Sequence, residues 1–384
     1  IVHYIIKNAT LETVPIIDEL FKIEKELFHT NNRCTAFTMR AIRRYKKSSE
    51  HLPLFQNSCV LPILNEYLNI LKEFQSFEMD DPNNHEFIAD IMLKLANFFR
   101  PSPDTRADVL LEIADYHIKN KYFSEAAIAQ LTAAANVAEY LTVLGRLPKV
   151  FKDDHPANSF KIPCPSANHE ICPDNLMRDM PTIPGFCTSK YFCECGLMQI
   201  IQMTIETCNR ANLYELGTKV HQLLRPLAEA RHLYKILEKH YKNGALFWTV
   251  IEQVKSKSDR ELGRYYRIEF QNGDIYIYRE TAFANLWQVS EKFKEKAKIF
   301  AEGKPIVVLN DGEDLSQAKM EPDKYYVHIK SVEQYFTNDE KENRITAFEQ
   351  NHNIVKFYFD LPYSKSAQQS IGHLMLKRTI YTIQ

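Results

Sequence analysis

At Gly263 the spacing of apolar residues changes from a repeat of about 3.6 to a repeat of two, and no other feature limits the possible folds of this chain so sharply. From Leu11 to about Leu141, and again from about Phe192 to Lys255, apolar residues recur at three- and four-residue steps; beyond Gly263 they alternate with polar ones. A helix buries a stripe and a strand buries one face, so the two patterns cannot share one layer. The expected fold is α+β in separate lobes. A helical-repeat lobe of antiparallel α-hairpins spans residues 1–255, and an antiparallel β-sheet lobe spans 256–384, with the boundary near Lys255 to Gly263.

In TRADVLLEIADYHIKNK, Val109, Leu110, Ile113 and Tyr116 form one apolar stripe, and Pro101 and Pro103 bar an earlier start. After a turn around Asn120 to Phe123, Ser124 can cap a second helix, SEAAIAQLTAAANVAEYL, with Glu125 in its first turn. Ala127, Leu131, Ala134, Ala135 and Ala138 share one side of it. Small residues let helices approach closely, as in tetratricopeptide arrays, and the pair has the length of one such repeat. An ordinary helical hairpin is the plainer alternative. Residues 145–186 are proline-rich and aperiodic, which reads as a long loop.

The stretch KYFCECGLMQII sets Cys193 and Cys195 one residue apart, between Cys187 and Cys208. With Cys164, His169 and Cys172 nearby there are ligands enough for zinc, but structural zinc sites use paired knuckles with two to four residues between ligands, and no second close pair exists. A helix mouth accounts for the cluster better. Leu197, Ile200, Ile201, Ile205 and Cys208 would form the buried face of the helix that follows; a thiol at its N-terminus can be activated, but structural thiols are the leading reading.

Beyond Gly263, RYYRIEF and DIYIYRE flank Gln271, Asn272 and Gly273, a strong hairpin signal. KPIVVLN, KYYVHIKSVEQYF, NIVKFYFDLPY and LKRTIYTIQ are further strands, and a helix in FANLWQVSEKFKEKAKIFAEG turns Leu286, Val289, Phe293 and Ala297 inward.

Several function classes find no support. The 48 basic and 49 acidic residues nearly cancel, so no overall field draws the chain to nucleic acid. No apolar run approaches the roughly 20 residues that span a bilayer, and the opening IVHYIIKNATLETV is no secretory signal, so direct membrane insertion is not expected. Eight cysteines in 384 residues read as reduced thiols of a cytoplasmic protein, and a start at Ile1 reads as a piece of something longer. The nearest pair of glycines, Gly303 and Gly312, is too far apart for a phosphate-cradling loop, and no nucleophile, base and orienting group assemble from the motifs. No cofactor and no metal are expected, and a hydrolase is a poor reading.

In order, SPDTRADVLLEIADYHIKNKYFSEAAIAQLTAAANVAEYL, SKYFCECGLMQII, LLRPLAEAR, GRYYRIEF, YIYRETAFANLWQVSEKF, DKYYVHIKSVEQYF and HNIVKFYFDLPYSKSAQQSIGHLMLKRTIYTIQ resemble the DHR-2 (DOCKER) catalytic region of the DOCK family, exchange factors for Rho-type small GTPases. In the zizimin-like and DOCK-C branch, hydroxyl residues stand where Cys193 and Cys195 are, and no metal is used there. The resemblance implies a helical lobe that mediates homodimerisation and a sheet lobe that grips switch I of a Rac-like GTPase. It also implies a final four-helix lobe whose valine displaces magnesium and loosens the nucleotide. That valine has no counterpart in the sequence up to Gln384, and YYRIEFQNGDIYIY is tighter than the family's usual connection.

The positions expected to face the GTPase are Glu333, Tyr335, Phe336, Pro362, Tyr363, Lys377 and Arg378. Tyr335 and Phe336 could instead close the sheet core, and Lys377 and Arg378 could form a solvated strand edge. A non-catalytic dimeric scaffold built on the repeat lobe is the alternative function.

Overall fold

A computed structural model describes, in the main, residues 85–99, 103–147, 189–254, 263–309, 320–363 and 375–382. Most of the expected helical pattern before His85 and most of the expected loop 145–186 lie outside the described residues. The chain divides into two compact units, Ile1–Trp248 and Thr249–Gln384. It is an α+β chain, with helices first and a sheet after them.

The helices are α1 (His85–Phe98), α2 (Pro103–Lys119), α3 (Phe123–Val143), α4 (Glu194–Arg210), α5 (Tyr214–Ala230) and α6 (Tyr234–Val254). From α1 to α5 each packs against the next. Three connections share one form. Lys121, Asn212 and His232 take left-handed φ values of 67, 56 and 52°, and the next residue donates its N–H five residues back, Tyr122 to His117, Leu213 to Cys208 and Leu233 to Ala228. This is the Schellman stop, with an apolar residue in the position that packs back on the helix. It explains why Ser124 is not the cap expected of it. Tyr122 fills that position without a side-chain hydrogen bond, and Ser124 falls inside the first turn of α3.

Helix α3 is central. Ala127, Leu131, Ala134, Ala135 and Ala138 are all fully buried, and so are Ala126, Ala133, Val137, Tyr140 and Leu141 around the rest of its girth. A Cβ in place of hydrogen at Gly217 of α5 would stand 2.4 Å from the Phe247 ring of α6, so only glycine lets that ring lie on the helix. Helix α4 buries Leu197, Ile200, Ile201, Ile205 and Cys208, the face read from its spacing. Cys193 is its N-cap, the sulfur accepting from the Gly196 N–H at 3.3 Å, while burial pushes the Cys208 thiol up to about 12.

In the second unit β1 (Arg264–Phe270) and β2 (Ile275–Glu280) form the expected hairpin, turned at Gly273 with φ 94°. Helix α7 (Leu286–Ala297) starts at an Asn285–Gln288 capping box and buries Val289, Phe293 and Ala297. Then come β3 (Ile306–Leu309), β4 (Tyr325–Gln334), a short α8 (Asn338–Asn343), β5 (Lys356–Tyr363) and β6 (Met375–Thr382). The order is β2-β1-β4-β5-β6, with β3 also on β4. Among the described strands all pairings are antiparallel except β3 with β4, which is parallel. The helical crossover through α7 brings the chain back in the same direction, which alternation alone does not encode.

Two histidine pairs link the helices. The Nδ1 atoms of His221 on α5 and His240 on α6 are 3.0 Å apart, and His85 Nε2 lies 3.1 Å from His117 Nδ1 between α1 and α2. Such contacts need at least one neutral ring. Burial pushes His117 and His221 down to about 4, and it lowers His240 too. An imidazole in the unfolded chain titrates near 6.5, so the stabilisation is full above about pH 6.5 and is lost as pH falls towards 4. The thermal midpoint is expected to fall between pH 7.5 and 5.0, and to fall less in His240→Gln. Equal falls would show that this pair does not contribute.

Candidate functional site

Strand β5 alternates between two faces. Phe357 and Phe359 pack with Tyr265 and Val332 in a core that Tyr381 of β6 completes. Lys356, Tyr358 and Asp360 occupy the other face, where β4 and β6 bring Glu333 opposite Tyr358 and Arg378 opposite Asp360. The Tyr358 hydroxyl donates to Glu333 Oε2 at 2.5 Å. Arg378 donates to both Asp360 oxygens, Nε to Oδ1 at 2.8 Å and Nη2 to Oδ2 at 2.7 Å, and its guanidinium lies 4.1 Å from the centre of the Tyr358 ring. The Tyr335 ring meets Tyr358 edge-on at 6.3 Å.

The charges are mutually adjusted. The Arg378 guanidinium holds the Asp360 carboxyl below its usual range, and Asp360 in turn holds the guanidinium charged. The hydrogen bond to Glu333, with some burial, raises the Tyr358 phenol. A surface of two rings, two carboxylates and a guanidinium suits partner binding. Among the described residues no three His, Cys, Asp or Glu side chains gather as metal ligands, and no helix is long and apolar enough to cross a membrane.

Of the residues expected from sequence, Glu333, Tyr335 and Arg378 come together on this face. Phe336 follows directly, its ring 4.7 Å from the Arg344 guanidinium carbon, beside a cleft of about 240 Å³ lined by Gln334, Lys341, Gln350 and Asn351 as well. Pro362, Tyr363 and Lys377 lie in the β5–β6 ribbon, with Pro362 opposite Leu376, Tyr363 opposite Met375 and Lys377 opposite Leu361. Tyr358 and Asp360 went unread in the sequence. The alternation in KFYFD was the signal, since it sets both opposite the two core phenylalanines.

The model of DHR-2, Lobe A matches residues 90–253, and that of DHR-2, Lobe B matches residues 313–384. The chain belongs to the DOCK family. Mouse dedicator of cytokinesis protein 8 is 30% identical over 308 residues, 77% of this chain and 14% of that protein. Human dedicator of cytokinesis protein 7 is 29% identical over 328 residues, 81% of this chain and 14% of that protein. Mouse dedicator of cytokinesis protein 9 is 24% identical over 324 residues, 78% of this chain and 15% of that protein. The chain thus spans about one seventh of the curated relatives it matches. Every candidate residue falls within the DHR-2 lobe B match, while β1, β2, α7 and β3 lie between the two matched regions.

The two faces of β5 predict a contrast. Phe357→Ala, at a residue 2% exposed, is expected to cost about 3–5 kcal/mol of unfolding free energy. Arg378→Ala is expected to leave the denaturation midpoint near that of the parent. Denaturant titration of both variants checks this, and a large loss on removing Arg378 would make that residue a structural one.

Proposed function

We propose that this DHR-2 segment is the part of an exchange factor that holds a Rho-family, Rac-like small GTPase at switch I and promotes release of its GDP. The observation that carries the reading is the ordered succession of DHR-2 lobes A and B in one chain, with a half-exposed aromatic and charged face inside lobe B. The proposed contact set is Glu333, Tyr335, Phe336, Pro362, Tyr363, Lys377 and Arg378, to which Tyr358 and Asp360 are added. Exchange of this kind needs no covalent chemistry. A partner that binds the empty GTPase more tightly than the loaded one weakens nucleotide affinity by the same factor, because coupling free energies are reciprocal.

The helical unit is proposed to form a homodimer. Helix α6 buries little more than His240 and Phe247, and it leaves Tyr234, Tyr241, Leu246 and Trp248 more than half exposed. Apolar side chains gathered on one helix favour a protein partner over water.

Two measurements test these proposals. Immobilised nucleotide-free Rho-family GTPases are expected to retain the chain, and Phe336→Ala is expected to weaken the complex by about 1–3 kcal/mol. A chain that no Rho-family GTPase retains, loaded or empty, would end the reading of this face as the GTPase contact. In light scattering at micromolar concentration the chain is expected to be a dimer and Trp248→Glu a monomer; a monomeric parent counts against the interface.

A further inference from the structure

Arg344 stands where the chain leaves α8, and its guanidinium reaches across the connection between β4 and β5. Nη1 donates to the carbonyls of Glu349 and, at 2.7 Å, His352; Nη2 donates to that of Asn353 at 3.0 Å. The same group covers the Phe336 ring at 4.7 Å. These acceptors are backbone oxygens, and Asn353 takes a left-handed φ of 51°, so the guanidinium holds a main-chain path that L residues rarely adopt. Asn351, inside that path, is tied to β4 by Gln334 at 2.8 Å and to β1 by the Tyr265 hydroxyl at 3.2 Å. The connection delivers the chain to Lys356, whose carbonyl accepts from the Tyr335 N–H at 2.9 Å.

We infer that Arg344 is a positioning residue for the partner-binding face: by clamping residues 349–353 and lying on Phe336, it fixes where Tyr335 and Phe336 stand. The inference rests on the reading of that face as the GTPase contact. A planar guanidinium can serve three carbonyls and a ring at once, which a lysine ammonium cannot, so Arg344→Lys is expected to behave like Arg344→Ala.

The 384-residue chain tests it with two readouts. In amide hydrogen exchange, Arg344→Ala is expected to accelerate the Tyr335 amide at least tenfold while those of Ile268 and Ile329 keep their rates. An unchanged Tyr335 rate, or equal acceleration everywhere, overturns the clamp. In binding to a nucleotide-free Rho-family GTPase, Arg344→Ala is expected to raise Kd at least tenfold, and Phe336→Ala with Arg344→Ala to bind no more weakly than Phe336→Ala alone. Additive losses, or a loss in Phe336→Ala with none in Arg344→Ala, overturn the role in binding. Faster exchange at Tyr335 with binding unchanged in both single variants leaves the clamp standing and removes the GTPase reading of the face.

Discussion

Strand β4 has two edges and three neighbours, and the sheet unit follows from how they share it. β1 takes one edge from Val327 to Val332. On the other, β3 pairs with Tyr325 to His328 and β5 with only Glu333 and Gln334. With so short a union, the β5–β6 ribbon is held mainly by its inner side chains. Phe359 takes the Lys330 ammonium on its ring at 3.7 Å, and Tyr381 takes the Arg267 guanidinium at 4.5 Å. Both cations are nearly buried, and Arg267 has Glu269 at 2.7 Å as its counter-charge. Desolvating a cation is costly, and ring faces and a close carboxylate offset part of that cost. Because the inner face is committed in this way, the outer side chains are left for other uses.

The helical unit is built on a different economy. Its turns between α2 and α3, α4 and α5, and α5 and α6 reuse one main-chain shape on different residues, with Lys121, Asn212 and His232 at the same left-handed position. A non-glycine residue there carries some strain, which the two Schellman hydrogen bonds and the apolar residue that follows offset. Repetition of the turn and alanines on α3 suit stacked hairpins, the architecture read from the Ala-rich helix.

What was legible in the sequence was periodic. The inward face of α4 and the Asn272–Gly273 hairpin are written in spacing, and each emerged where its spacing put it. Three features were not. Ser124 looked like a cap because hydroxyls usually cap, and the competing Schellman geometry at Lys121 needs no favoured side chain. The direction of β3 depends on the crossover rather than on its four residues. Arg344 left no pattern because its acceptors are carbonyls, which every residue possesses. In the candidate face, Glu333, Tyr335 and Arg378 were found through family likeness, whereas Tyr358 and Asp360 were open to a purely physical reading of alternation.

The hydrogen bond from Tyr265 to Asn351 joins residues 86 apart in the chain, and it has a kinetic meaning. In the helical unit short turns join α2 to α3 and α4 to α5, and each of these pairs packs together, so each can form as the polypeptide lengthens at little cost in loop closure. The sheet unit must wait. β1 and β2 can zip together early, but the surface that carries Tyr335 and Tyr358 has no shape until β5 arrives from the far end of the unit. During synthesis, N-terminus first, the edge of β4 that β5 will occupy stays open for that interval, and an open edge is where a second chain can pair wrongly.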